Sequence, residues 1–316
     1  MLSMLLRRAG FSLLSLLLVS ACLFALTRAI PDSPARIVLG PDATQEQVTR
    51  FEHDHGLDQP ALVQYGAWIT GIVIHGDLGK SFITGRPASQ DIIRTLPVTL
   101  ELVTIGFILA CATALAAGIA SALLRGTLID HGIRLLAVIG VSMPGFWLAL
   151  ILILFFAVDW EWFPPGGYEP ISAGVATHVS TIFLPVLALA AFYVAALSRM
   201  TRSSLLDVLG LDYMRTARAS GLPRWRVLAY ALRNALVPVV TIAGMSFGYM
   251  FGWALIIETV FNINGLSYAL LTAIQQRDFI LVQAVVLVFT FIFTLANLIA
   301  DLVNAWLNPR LAMVAA

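Results

Sequence analysis

Residues Val98–Leu124 read VTLELVTIGFILACATALAAGIASALL, and this stretch decides the fold. An α-helix rises about 1.5 Å per residue, so about 20 apolar residues cross the ~30 Å hydrocarbon layer of a bilayer. The stretch is longer than that and carries one charged side chain, Glu101. It lacks the alternation that a strand of a membrane barrel shows over about ten positions. Five further runs of the same kind lie outward from it, at Ala9–Ile30, Leu135–Val158, Val179–Leu197, Ala235–Ile257 and Phe279–Val303. The sequence therefore predicts an all-α polytopic membrane protein with six transmembrane helices.

The composition agrees. Of 316 residues, 59% are hydrophobic and 12% charged, against about 25% charged in a soluble domain. Mean hydropathy is +0.88. This excludes an ordinary soluble enzyme and a disordered chain. A net charge of +1 excludes a protein that grips nucleic acid through its field. Cys22 and Cys111 both sit inside apolar runs and give neither a disulfide framework nor zinc spacing.

Arginine placement sets the orientation. With a cytoplasmic N-terminus, the inside segments hold Arg7 and Arg8, then Arg125 and Arg134. Arg199, Arg202, Arg215, Arg218, Arg224, Arg226 and Arg233 follow, and then Arg310. The outside loop Asp159–His178 has no lysine or arginine, and the outside loop Glu258–Asp278 has only Arg277. The positive-inside rule places both termini in the cytoplasm. Val19-Ser20-Ala21-Cys22, behind Arg7-Arg8, fits a lipoprotein cleavage box. The apolar run continues through Leu26, however, so the segment is read as a retained helix.

The organisation expected is a tail and first helix over 1–30, then an extracytoplasmic segment over 31–97. A five-helix core follows over 98–305, with a cytoplasmic loop at 199–234, and a cytoplasmic tail over 306–316. Thr44-Gln45-Glu46-Gln47 reads as a helix start in the 31–97 segment, and Leu62–Ile74 as an amphipathic helix outside the membrane. Pro144 is expected to kink the third span.

Most candidate chemistry has a plain reading. Gly79-Lys80-Ser81 looks like the tail of a phosphate-binding loop, but Ile74 stands where the first glycine is needed. Any ATP that drives this protein is therefore bound by another chain. His53 and His55, beside Glu52 and Asp54, read as a solvated helix face more readily than as a metal site. Glu101 and Asp301, the latter near Asn297 and Asn304, lie near span ends and read as anchors or helix-pairing groups. No residues are placed for catalysis, so no enzyme activity is expected. Gly244, Gly248 and Gly252 recur every four residues, close to one stripe of the fifth span, and read as a helix-packing or pathway face.

The loop 199–234 says most. Ser203–Ser220 reads as an amphipathic helix, stopped by Gly221 as a left-handed cap. Pro223 then suits the first turn of a second helix, Arg224–Asn234. Short helices are marginal alone in water, so this pair needs a surface to dock on.

The stretch Asp212, Tyr213, Met214, Arg215, Thr216, Ala217, Arg218, Ala219, Ser220, Gly221, Leu222, with Arg233 and Asn234 after it, resembles the coupling loop of ABC importer permeases. The resemblance is closest to the first-subunit type of the dipeptide/oligopeptide/nickel group. It extends to Gly56-Leu57-Asp58-Gln59-Pro60, Gly76-Asp77-Leu78-Gly79-Lys80-Ser81, Leu96–Leu102, Thr201–Ser204, Glu258–Phe261 and Leu307-Asn308-Pro309-Arg310. The general Glu-Ala-Ala pattern is replaced by Arg215-Thr216-Ala217, so only a docking role carries over.

The resemblance implies a type I ABC importer permease fold. It implies a heterodimer with a second homologous permease, two ATPase subunits on the coupling loops and an extracytoplasmic solute-binding protein. The chain itself would bind no cofactor and no metal, with ATP and magnesium on the ATPases. Its partners would be these proteins and the lipid bilayer, with no nucleic acid. The substrate implied is a di- or oligopeptide, with nickel or a metal chelate as the alternative. A stand-alone secondary transporter or channel is the alternative class.

Overall fold

The computed structural model describes residues 2–29 and 34–307, with the side chains of residues 2–6, 8 and 9 outside that description. The Asn308-Pro309-Arg310 motif, most of the 306–316 tail and Pro31 therefore lie outside the described residues. The described chain is helical, with one isolated β-bridge, between Lys80 and Pro87.

In chain order the helices are α1 (Leu2–Ala29), α2 (Pro34–Leu39), α3 (Gln45–Asp54), α4 (Ala61–Thr70, continued by a π-helical turn Gly71–His75) and α5 (Ala88–Leu123). Then come α6 (Leu128–Ser142), α7 (Gly145–Leu152, continued by a π-helical stretch Ile153–Asp159), α8 (Val175–Leu209) and α9 (Asp212–Ala219). The last are α10 (Arg224–Val260), α11 (Leu266–Gln275) and α12 (Phe279–Leu307). Among the described residues five helices are long and apolar enough to cross a membrane, and the pair α6–α7 makes a sixth if it is one broken span.

The third span, expected as Leu135–Val158 with a kink at Pro144, is divided there into two helices. Met143, held extended by the proline that follows it, ends α6. Pro144, which has no N–H, precedes α7. The two pieces are bent by 106°. The expected start of α3 is present as a capping box. Thr44 Oγ1 accepts from Gln47 N, and Gln47 Oε1 accepts from Thr44 N.

The chain forms two compact units. Of the described residues, one holds 2–9, Thr99–Asn264 and 292–307; the other holds those of Gly10–Val98 and Gly265–Phe291. In the first unit α8 is the most buried span. Small residues let its neighbours approach, which is how helices associate where apolar contact alone gives no driving force. A Cβ on Gly118 of α5 would lie 2.6 Å from Thr201 Cβ, and one on Gly140 of α6 would lie 3.0 Å from Ala195 Cβ. On α10, Gly244 faces Ala300 and Gly248 faces the Phe293 ring of α12, and a Cβ at either glycine would collide with that neighbour. A Cβ on Gly252 would meet nothing within 4 Å, so among the described residues this glycine of the stripe packs against no other helix.

In the second unit α1 packs along α4. Another cluster joins Ala88 and Ile92 of α5, Leu266 and Ala273 of α11, and Leu281 and Val285 of α12. The Gly79-Lys80-Ser81 triplet is structural here. Buried Ser81 donates from Oγ to buried Asp278, which in turn accepts from Leu281 N at the start of α12.

Candidate functional site

The loop after α8 is built from two short decisions of the backbone. Gly210 ends α8, and Leu211, extended at φ −71° and ψ 151°, begins α9. Asp212 in its first turn and Arg218 in its last match the helix dipole. The helix then stops in a Schellman motif. Gly221 takes φ +73°, Gly221 N donates to Arg218 O and Leu222 N to Ala217 O. The expected cap is present, but the expected helix Ser203–Ser220 is broken at Gly210. The stretch Arg224–Asn234 is not a separate short helix; it forms the first turns of α10 and runs unbroken into the fifth span.

Only Met214 of α9 is fully buried. It sits with Ala122 of α5, Leu205 of α8, and Val227, Ala231 and Ala235 of α10, and Leu222 packs on the same cluster. Local sequence assigns the apolar side of this helix no partner; the folded chain itself supplies one. Two polar contacts fix its direction, and a third ties α10 to α12. Arg218 Nη2 donates to Leu209 O at 2.9 Å, closing the turn from α8. Asn234 Nδ2 donates to Tyr213 Oη at 2.9 Å, tying α10 to α9. Arg233 Nε donates to Leu307 O at 3.1 Å, capping α12. Arg215 pairs with Asp212 at 3.2 Å on the open surface, a contact of little energetic weight.

What remains outward is a mixed apolar and cationic face. Leu211, Tyr213 and Trp225 are exposed large side chains, and Asp212, Arg215, Thr216, Arg218, Ala219, Arg224 and Arg226 lie around them, all open to solvent, while Ala217 is partly covered. An eight-residue helix held by one buried methionine and presenting the rest outward is suited to receive a protein surface. Met214 is the one strongly apolar aliphatic side chain among Asp212–Ala219, and that is the signal that marks it as the anchor.

Below the loop, polar groups in the spans hold the helices together. Asp130 of α6 accepts from Arg202 of α8, from Ser121 of α5 and from Gly126 N. Towards the other end of the same unit, Glu101 accepts from Tyr168 Oη at 2.6 Å and lies 2.9 Å from His178 Nε2. His178 Nδ1 donates to Glu169 O at 2.7 Å. Burial first, and Glu101 second, push the Tyr168 phenol up to about 12, so it remains a donor. Buried Glu258 accepts from Thr99 Oγ1 at 2.6 Å. Glu101 thus pairs helices, and His178, which looks isolated in sequence, is its partner.

His53 and His55 of the 31–97 segment are engaged locally. His53 Nδ1 lies 2.9 Å from Asp58 Oδ2. His55 stacks on Phe51 with ring centroids 4.1 Å apart.

Residues 114–313 match the family model described as binding-protein-dependent transport system inner membrane component. Residues 1–103 match the model of the N-terminal part of such membrane components. Full-length relatives are similar to the chain. A putative peptide transport system permease protein of Brucella abortus is 37% identical, over 98% of this chain and 99% of that protein. A glutathione transport system permease protein of Salmonella typhi is 38% identical, over 98% and 99%. A probable peptide ABC transporter permease protein of Sinorhizobium fredii is 36% identical, over 97% and 98%.

Proposed function

Because the chain belongs to the family of binding-protein-dependent transport system inner membrane components, we propose that it forms half of the translocation pathway of an ATP-driven peptide importer. The observation that carries this reading is α9, a short helix with a single buried anchor whose remaining surface is open to a partner. In this reading ATP is hydrolysed on two separate ATPase subunits, one of which docks on Asp212–Leu222 and the exposed start of α10. A second, homologous permease completes the pathway, and an extracytoplasmic binding protein delivers the substrate. Closure of the ATPases moves α9, and its attachments at Leu209, Tyr213 and Met214 pass the movement to α8 and α10.

Peptide and glutathione permeases among the full-length relatives favour a peptide substrate over nickel or a metal chelate. The engagement of His53 by Asp58 points the same way. Both termini are assigned to the cytoplasm from the arginine distribution.

Reconstitution into proteoliposomes tests the reading. With the second permease, the ATPases and loaded binding protein, uptake of a dipeptide should require ATP. Uptake by this chain without ATPases would instead identify a stand-alone carrier or channel. ATP-dependent uptake of nickel but not of peptide would replace the substrate.

A further inference from the structure

The segment after α3 carries an apolar helix that the importer reading leaves unused. Ala61–His75 has no charged side chain before His75, and one face packs along α1 in an antiparallel register. At one end Arg28 donates to Gln64 Oε1. One turn further, Phe24 meets Tyr65 and Trp68 with ring centroids 5.5 and 6.0 Å apart. Ser20 Oγ then meets Tyr65 Oη at 2.8 Å. Beyond that, Ile69, Ile72 and Val73 line one crevice with Leu13, Leu16 and Leu17.

Paired residue numbers in this register sum to about 89, and Ile72 accordingly shares the crevice with Leu17. The span in α1 is Gly10–Ala29, bounded in sequence by Arg7-Arg8 and by Arg28. Twenty residues are about what a crossing needs, so α1 has no slack to shift outward. From Arg28 to the level of Leu17 is about 11 residues of α1, a depth of about 16 Å, close to half of the ~30 Å hydrocarbon layer.

The outward face of the same helix carries Leu62 at 85%, Val63 at 52%, Val73 at 76% and Ile74 at 70% exposure. Water is a poor solvent for that face, and acyl chains are a good one. The turn at its tip pairs its own backbone groups. Gly76, at φ +65°, donates to Ile72 O, Asp77 N donates to Gly71 O, and Gly79 N donates to Asp77 Oδ1. A backbone group left without such a partner is costly in lipid.

The chain then climbs back. Leu78 packs on the cluster of α5, α11 and α12. Gly79 lies so close to Ile280 that a Cβ would approach its Cγ2 to 2.7 Å, and Ser81 reaches Asp278 at the head of α12. A helix down and a non-helical limb up is the form of a re-entrant loop.

We propose that 61–80 is such a loop: α4 and its π turn enter the outer leaflet beside α1, with Leu62, Val63, Val73 and Ile74 against acyl chains, and 76–80 return to the surface. The exposed Asp77 at the tip faces water within the outer half of the membrane, because a carboxylate is costly against lipid. The Gly76-Asp77-Leu78-Gly79-Lys80-Ser81 motif is then the returning limb, its glycines allowing the turn and the close passage over Ile280. The proposal rests on the assigned orientation, in which the Arg28 end of α1 is outside.

Single cysteines test it in intact cells, in a chain with Cys22→Ala and Cys111→Ala. Ala61→Cys should react with a membrane-impermeant maleimide, which checks the orientation alone. Val73→Cys and Ile74→Cys should react at least an order of magnitude more slowly. Nitroxides at those two positions should be relaxed more by oxygen than by a water-soluble nickel chelate. Asp77→Cys should react with the maleimide. Fast maleimide reaction at Val73 and Ile74 would place the helix in water and overturn the proposal. Nitroxides shielded from both relaxants would mean that a protein surface, not lipid, covers the face, and would overturn it as well. An unreactive Asp77→Cys beside lipid-exposed Val73 and Ile74 would remove the water-facing tip. No reaction at Ala61 from outside, with reaction from inside, would reject the orientation instead.

Discussion

Arg202 of α8 donates to Asp130 of α6 through two parallel bonds, Nε to Oδ1 and Nη2 to Oδ2, each 2.9 Å. The aspartate is 1% exposed. Ser121 and Gly126 N complete its shell, so three segments of the chain converge on one carboxylate. The bidentate fork is a geometry that arginine provides and lysine does not. It sits two turns before α8 ends at Leu209, at the root of the proposed coupling loop.

Loss of either member of this pair should loosen the root of the loop. Asp130→Ala leaves a half-buried guanidinium without its anion and should lower the apparent melting temperature of the detergent-solubilised chain by several degrees. The double variant Asp130→Ala with Arg202→Met removes both charges and should recover part of the loss. A melting temperature for Asp130→Ala equal to that of the parent would show that the pair is idle.

The glycines of α10 should separate by position. Gly248→Leu must displace the Phe293 ring and should cost about 1–3 kcal/mol or more through overpacking. Gly252→Leu enters open space and should leave the melting temperature close to that of the parent. Equal melting temperatures for the two variants would contradict the packing described for α10 and α12.

Gly221→Val should uncouple without unfolding. The residue must hold φ +73°, which costs an ordinary side chain about 1 kcal/mol and a branched one more. A Cβ there would meet nothing within 4 Å, so the effect is conformational rather than steric. Insertion of the spans should persist, while stimulation of ATP hydrolysis by loaded binding protein falls. Ala217→Glu, in the same turn of helix as the Met214 anchor, should act in the same direction. Retention of the ATPases in a pull-down with normal stimulation in both variants would move the coupling site elsewhere.

Histidine titration reports on the 31–97 segment. The Asp58 hydrogen bond and charge hold His53 above the ordinary 6.5. The folded state therefore favours the protonated ring. The small stability this adds is complete below 6.5 and is lost as pH rises through the higher folded value. In Asp58→Asn the His53 resonance should titrate closer to 6.5, as followed by NMR. An unchanged midpoint would mean that the contact does not persist in solution.

The membrane class, the long helices and the left-handed cap at Gly221 are legible in the residues alone. These depend on local quantities: the length of an apolar run, or a backbone angle that only glycine takes cheaply. The capping box at Thr44 is legible for the same reason. A kink at Pro144 is legible too, but its size of 106° is not, because proline removes a hydrogen bond and extends the residue before it while the surroundings set the angle. Nor is it legible that Met214 docks on α5, α8 and α10, that His178 meets Glu101 or that Arg202 meets Asp130. Those partners stand far apart along the chain, so nothing in their local spacing marks them. Only tertiary packing brings a buried donor to its acceptor, and the cost of leaving either unpaired in a medium without water then fixes the arrangement.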